Sequence, residues 1–117
     1  MPLDQKINYL ELPAADLDAV EKFYHDAFGW TFVSYGDDYR AFNDGTFDGG
    51  FYKAEAASST KSGAALIVIY AEDLECTEQT VVRCGGVIVR AIFSFPGGRR
   101  FQFTDPNGNE LAVWSDK

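Results

Sequence analysis

Glu11, Arg100, Gln102 and Glu110 are the residues of this chain whose type and place could do chemistry. Each stands on a segment that alternates apolar and polar side chains as a half-buried strand does, so each shares a face with neighbours two positions away. Alternation groups Tyr9 with Glu11, Arg100 with Gln102, and Glu110 with Ala112 and Trp114. It leaves Leu10, Leu12, Phe101, Phe103, Leu111 and Val113 for the opposite, packed faces. A carboxylate such as Glu11 in an apolar recess can take a proton from a carbon acid, and a guanidinium or amide beside it can steady the resulting oxyanion. The same carboxylate can instead pair with Arg100 and help to close a barrel, the simpler reading of a lone acid.

Other reactive side chains point to structure. The single histidine, His25, shares the polar face of an amphipathic segment with Lys22 and Asp26, where a solvated ring is expected. Cys76 and Cys84 fall in one predicted helix, roughly 12 Å apart along its axis, and a disulfide needs less than about 7 Å. Two free thiols suit a reducing compartment. Asp37, Asp38, Asp44 and Asp48 gather in two turns without the residue order of a calcium loop and read as solvated turn residues. Gly97-Gly98-Arg99-Arg100 has the composition of an anion cradle, but no helix starts there, so a tight hairpin is expected.

The elements that must position these groups form a pattern written twice. Ala14 and Ala71, Asp16 and Asp73, Leu17 and Leu74, Glu21 and Glu78, and Gly29 and Gly86 are pairs sharing a single offset. Ile7 to Leu12 alternates as a strand that Pro13 should end, and a helix follows with Asp18 and Glu21 spaced as a capping box and Gly29 as its stop. Strands are expected at Trp30 to Tyr35, Tyr39 to Asn43 and Gly50 to Ala54. After the small, polar stretch Ala56 to Gly63, the order recurs. Ala64 to Tyr70 reads as a strand buried on both faces, Asp73 to Cys84 as a helix, and Val87 to Phe95, Arg99 to Thr104 and Glu110 to Ser115 as strands. Asp105-Pro106-Asn107-Gly108-Asn109 is a turn signal. Each half is too small to bury its own apolar face, so the halves are expected to close on one another and enclose a cleft.

A chain of 117 residues with net charge −8 is one domain, residues 1–117, with modules at about 5–55 and 63–116. The charge repels phosphate backbones and anionic lipid, which argues against nucleic acid and membrane as partners. The longest apolar run, Ala64 to Ala71, falls far short of a bilayer span, and Met1-Pro2-Leu3-Asp4 lacks a charged-then-apolar signal; a cytoplasmic location is expected.

Asp16-Leu17 followed by Phe23-Tyr24 and Phe28-Gly29-Trp30, then Phe103 to Asn109 before the last strand, resembles the vicinal oxygen chelate superfamily, which includes glyoxalase I, bleomycin-resistance proteins and extradiol dioxygenases. Ile92 to Phe101 further resembles small bacterial glyoxalase-like proteins. The resemblance implies an α+β fold of two tandem βαβββ modules forming a curved half-barrel cleft. It also implies a metal held by His, Glu or Gln from four strands. The corresponding positions here are Tyr9, near Phe51, Ile67 and Ala112. None is a usual donor for zinc, nickel or iron, so no metal and no other cofactor is expected. Glu11 and Glu110, one pleat from Tyr9 and Ala112, share those faces and are the carboxylates that an oxygen-ligated ion would use, without a third or fourth donor at Phe51 or Ile67.

Placed together, these readings give a cleft walled by Tyr9, Phe51, Ile67 and Trp114, with Glu11, Arg100, Gln102 and Glu110 as its polar groups. The function expected first is metal-free binding of a small organic molecule, by sequestration or sensing. The alternatives are a lyase or isomerase of the glyoxalase type with Glu11 as general base, and an interaction module with a vestigial cleft. The resemblance implies a homodimer, with the modules paired either within or between chains.

Overall fold

The structure, a computed structural model describing residues 2–117, realises the repeat. The first module runs β1 (Tyr9–Ala14), α1 (Leu17–Phe28), β2 (Thr31–Ser34), β3 (Tyr39–Asn43) and β4 (Asp48–Lys53). The second runs β5 (Ile67–Tyr70), α2 (Leu74–Arg83), β6 (Val87–Phe95), β7 (Gly98–Thr104) and β8 (Glu110–Ser115). A single 3-10 turn, Thr60–Ser62, interrupts the link. Each module is a four-stranded sheet, in the orders β1-β4-β3-β2 and β5-β8-β7-β6. In each, the first strand lies parallel to the last and the remaining pairs are antiparallel. The α+β architecture of two tandem βαβββ modules is therefore present. Among the described residues no helix is long and apolar enough to cross a membrane.

Local chemistry sets the element ends. Asp16 caps α1 by accepting the Ala19 amide at 3.1 Å, and Asp73 caps α2 by accepting the Cys76 amide at 3.0 Å. The expected box of Asp18 and Glu21 does not form; both carboxylates turn instead to Arg40 on β3. Gly29 ends α1 at φ 75°, a conformation that a side chain would oppose. Pro13 does not end β1. The strand lies at the sheet edge, where a missing N–H costs no ladder bond, and it continues to Ala14.

One face of each sheet is covered. Leu12, Phe42 and Phe51 pack under α1, with Tyr24 stacked on Trp30 at 4.5 Å and tilted against Phe51 at 5.4 Å. Phe101, Phe103, Leu111 and Val113 pack under α2 with Leu74 and Val81. Phe23 meets Phe103 at 5.9 Å and Phe28 meets it at 6.1 Å, so the modules share one core through their helices. Each such ring contributes about 1.5–3 kcal/mol by leaving water.

The Asp105 to Asn109 turn fastens the modules together. Asn107 accepts the Ala15 amide at 2.9 Å and donates to the Pro13 carbonyl at 3.0 Å and the Ala56 carbonyl at 2.8 Å. Asn109, fully buried, donates to Pro13 at 2.8 Å and accepts the Ser58 amide at 2.8 Å. Asp105 takes the Tyr24 hydroxyl at 2.8 Å. Burial pushes its carboxyl above the usual aspartate range despite those hydrogen bonds.

Candidate functional site

The faces that the helices leave open carry the polar groups. On the first sheet, register places Glu11 beside Gly50, and Gly50 beside Ala41. Gly50 is required here because the Tyr39 side chain lies across it; a Cβ at that position would meet the Tyr39 hydroxyl at 1.9 Å. From this perch Tyr39 Oη donates to Glu11 Oε2 at 2.8 Å and meets Tyr9 Oη at 2.5 Å. Burial first, and then the hydrogen bonds to Tyr9 and Glu11, raise the Tyr39 phenol above its ordinary range. Tyr39 thus stays protonated at neutral pH and offers Glu11 a fixed donor.

On the second sheet, Arg100 sits opposite Trp114, Gln102 opposite Ala112 and Thr104 opposite Glu110, all on the open face. Arg100 Nη2 donates to Gln102 Oε1 at 3.3 Å, and Gln102 Nε2 donates to Glu110 Oε2 at 2.7 Å. The other Glu110 oxygen accepts from the Thr60 amide at 2.9 Å and the Thr60 hydroxyl at 2.7 Å. These Thr60 bonds hold the Glu110 carboxyl below the usual glutamate range. Trp114 forms an aromatic row with Tyr70 at 5.2 Å and Phe95 at 6.3 Å. Arg99 turns the opposite way, to Glu75 on α2 at 2.5 Å, and Gly97 makes a tight turn at φ 110°. The glycine-arginine run is thus a hairpin whose arginines serve different faces.

The expected single pocket is not assembled within one chain. Tyr9 and Glu11 lie on the first sheet, while Arg100, Gln102, Glu110 and Trp114 lie on the second, and no hydrogen bond joins the groups. Glu11 has Tyr39, not Arg100, as its partner. Phe51 and Ile67 are corrections. Phe51 is fully buried beneath α1, and Ile67 packs against the same core. The parallel register explains Ile67: Val68 pairs with Ala112 and Tyr70 with Trp114, so Val68 and Tyr70, each 43% exposed, take the open face. For the same reason β5 is not buried on both sides. A groove of about 540 Å³ between Leu10, Trp30, Phe42 and Ile69 is lined also by Asp44, Thr46 and Ile67, and it contains none of the expected polar site groups.

Donor chemistry at the family's metal positions follows from this geometry. Tyr9 lies on the open face of β1 and Ala112, itself fully buried, on that side of β8, while Gly50 and Tyr52 occupy the open face of β4 and Val68 that of β5. This set has no imidazole, thiolate or carboxylate, and it does not fit a transition metal. Glu11 and Glu110 stand on different sheets, already engaged by Tyr39 and by Thr60 and Gln102. Among the described residues no three His, Cys, Asp or Glu side chains are gathered to hold an ion. Sequence reading missed Tyr39; its only signal was a tyrosine near a glycine that would share its sheet.

The family model of the Glyoxalase/Bleomycin resistance protein/Dioxygenase superfamily matches residues 6–113. A glyoxylase-like domain-containing protein of Didymella fabae is 32% identical over 123 residues, covering 97% of this chain and 95% of that protein. Among solved structures, a glyoxalase/bleomycin resistance protein/dioxygenase family enzyme from Burkholderia phytofirmans PsJN superposes with TM-score 0.79 at 14% identity, covering 94% of this chain and 98% of the other. Lactoylglutathione lyase from Agrobacterium tumefaciens superposes with TM-score 0.72 at 22% identity, covering 95% and 93%. At these identities the two structures establish a shared fold.

Proposed function

We propose, for a chain that belongs to the glyoxalase/bleomycin resistance protein/dioxygenase superfamily, that it binds a small organic molecule on the open faces of its sheets without using a metal. The observation that carries this reading is the composition of those faces. Aromatic side chains stand beside fixed hydrogen-bonding groups, Tyr39 with Glu11 on one sheet and Arg100, Gln102 and Glu110 on the other, while the open-face residues at or next to the positions expected for metal ligands are Tyr9, Gly50, Tyr52, Val68 and Ala112. Concentrated aromatic surface with few polar groups is the make-up of a small-molecule site.

A second copy of the chain completes the site in this reading. Tyr9 and Tyr52 are 42% and 41% exposed on the first face, and Val68 and Tyr70 are equally open on the second. Where such side chains form one contiguous apolar patch, a partner surface is expected to cover it. A homodimer that sets the first sheet of one copy against the second sheet of the other brings Glu11 opposite Arg100. Light scattering at micromolar concentration should give twice the monomer mass, and a monomer would remove this arrangement. Density for a carried-through molecule between the faces of an untreated crystal would support the binding function; ligand found only in the groove around Leu10, Trp30 and Phe42 would contradict it.

The Tyr39 to Glu11 hydrogen bond favours one further reading, a lyase or isomerase in which Glu11 takes a proton beside a carbonyl. Glu11→Gln should then lower kcat by 100-fold or more, roughly the range of general-base removal. Turnover unchanged in that variant would reject the role.

A further inference from the structure

We infer that the Arg90, Phe93 and Arg100 side chains form an anion subsite on the open face of the second sheet, taking the carboxylate or phosphonate head of an organic ligand. The inference rests on the proposed binding function and names the ligand's charge. Arg90 and Phe93, three residues apart, would point to opposite faces of a regular strand. Register shifts between Ile88 and Arg90 and again between Arg90 and Phe93 pair Arg90 with Gln102 and Phe93 with Arg100, which returns both to the open face. Bulges that re-aim side chains are frequent beside functional sites. The Phe93 ring then holds both guanidiniums, Arg90 at 3.6 Å and Arg100 at 5.3 Å from its centre. Stacking of this kind fixes the planes of the guanidinium forks without using their edge N–H groups.

Those edges have no acidic partner. Among the described residues Lys22, Arg40, Arg99 and Lys117 are each in a salt bridge, whereas Arg90 and Arg100, like Lys6, Lys53, Lys61 and Arg83, are in none, although the chain has 18 acids against 10 bases. Arg100 Nε, like Arg40 Nε, is buried with no hydrogen-bond partner, and the Arg100 Nη2 contact with Gln102 is long at 3.3 Å. An uncompensated buried donor is costly; Arg40 offsets it with Asp18 and Glu21, whereas Arg100 has no carboxylate of the chain to do so and is left for a ligand that supplies the acceptor. The neighbouring carboxylates are occupied, Glu110 by Thr60 and Gln102, and Asp116 by Tyr70 at 2.6 Å. Lys61 and Arg90 border a groove of about 380 Å³ against Gln102 and Glu110. Phe95 and Trp114 supply the apolar wall beside the charge. An anion with a flat apolar body matches this surface, and two oxygens of its head match a guanidinium fork.

The test uses benzoate and phenylphosphonate as anionic probes and benzamide as the neutral control, titrated into the full chain while its amide spectrum is recorded. Both anions should shift resonances of β6 and β7 saturably and bind at least tenfold more tightly than benzamide. Arg100→Gln should weaken them about tenfold and Arg100→Lys several-fold, since the lysine keeps charge but loses the fork. Arg83→Gln, an exposed change at the end of α2, should leave binding as it was. If Arg100→Gln does not fold, Arg90→Gln serves in its place. Benzamide binding as well as the anions to the open faces would overturn the anion subsite while sparing the binding function. Loss of affinity shared equally by Arg83→Gln and Arg100→Gln would overturn it too. No shift on either open face with any probe would count against both.

Discussion

The two sheets are copies on their covered faces and strangers on their open ones. Leu12, Phe51 and Phe42 beneath α1 have counterparts in Ile69, Val113 and Phe103 beneath α2, all apolar and all packed in the core. Outside, the first sheet carries a hydroxyl and carboxylate cluster of Tyr9, Tyr39 and Glu11, laid flat over Gly50. The second carries two arginines around Phe93, an amide relay to Glu110 and an aromatic row, on a β6 strand bent by two register shifts. Close packing restricts what can change beneath a helix, whereas an open face is constrained only by what it meets. The contrast favours the open faces as the place of the proposed binding and gives the pair opposite electrostatic character, acidic against basic.

The comparison breaks first in the core. Phe103→Ala should cost about 3–5 kcal/mol in a denaturant titration, because it opens a cavity where both modules meet. Loss of much less would mean that the modules are energetically separate. Gly98→Ala and Gly50→Ala sharpen it next. At Gly98 a Cβ would stand 2.1 Å from the Ser115 carbonyl oxygen, a backbone atom, and a cost of about 2–3 kcal/mol is expected. At Gly50 the obstacle is the Tyr39 ring, a side chain that can be displaced where backbone cannot, so about 1 kcal/mol is expected, together with release of Glu11 from its donor.

Acid titration tests one buried clasp against one open-face carboxylate. Glu110 is lowered in the fold, so its contribution is present above the ordinary glutamate value and is lost as pH falls toward the folded one. Asp105 is raised by burial, so the unfolded chain releases that proton first and stability falls as pH climbs from the ordinary aspartate value to the raised one. Urea midpoints measured between about pH 2 and 6 should show a shallower acid loss in Glu110→Gln. The opposing rise at low pH should disappear in Asp105→Asn. Identical profiles in wild type and both variants would refute these assignments. Smallest of all, Val33→Ser on the exposed first sheet, where the residue is 58% exposed, should move monomer stability by no more than about 0.5 kcal/mol.

Much of the fold was legible because it follows from local rules. Helix stops at Gly29 and near Gly85, the limits of β3, β6 and β8, and the placement of Glu11, Arg100, Gln102 and Trp114 on open faces follow from period and turn chemistry. Residues that needed tertiary knowledge were misplaced or missed. Pro13 stays in its strand because β1 is an edge, Phe51 and Ile67 turn inward because parallel register decides parity, and the capping box yields to Arg40. Arg90 and Phe93 escaped notice because bulges, invisible to alternation, bring them together. Tyr39 reaches Glu11 through a gap that only the folded sheet creates at Gly50.

The central claim is that these faces bind without a transition metal. Calorimetric titration of nickel and zinc into chelator-treated, tag-free protein tests it most directly. The account predicts no saturable binding tighter than about millimolar, since Tyr9, Gly50, Val68 and Ala112 offer none of the usual donors. A stoichiometric complex with Kd below about a micromolar, lost in Glu11→Gln or Glu110→Gln, would contradict it.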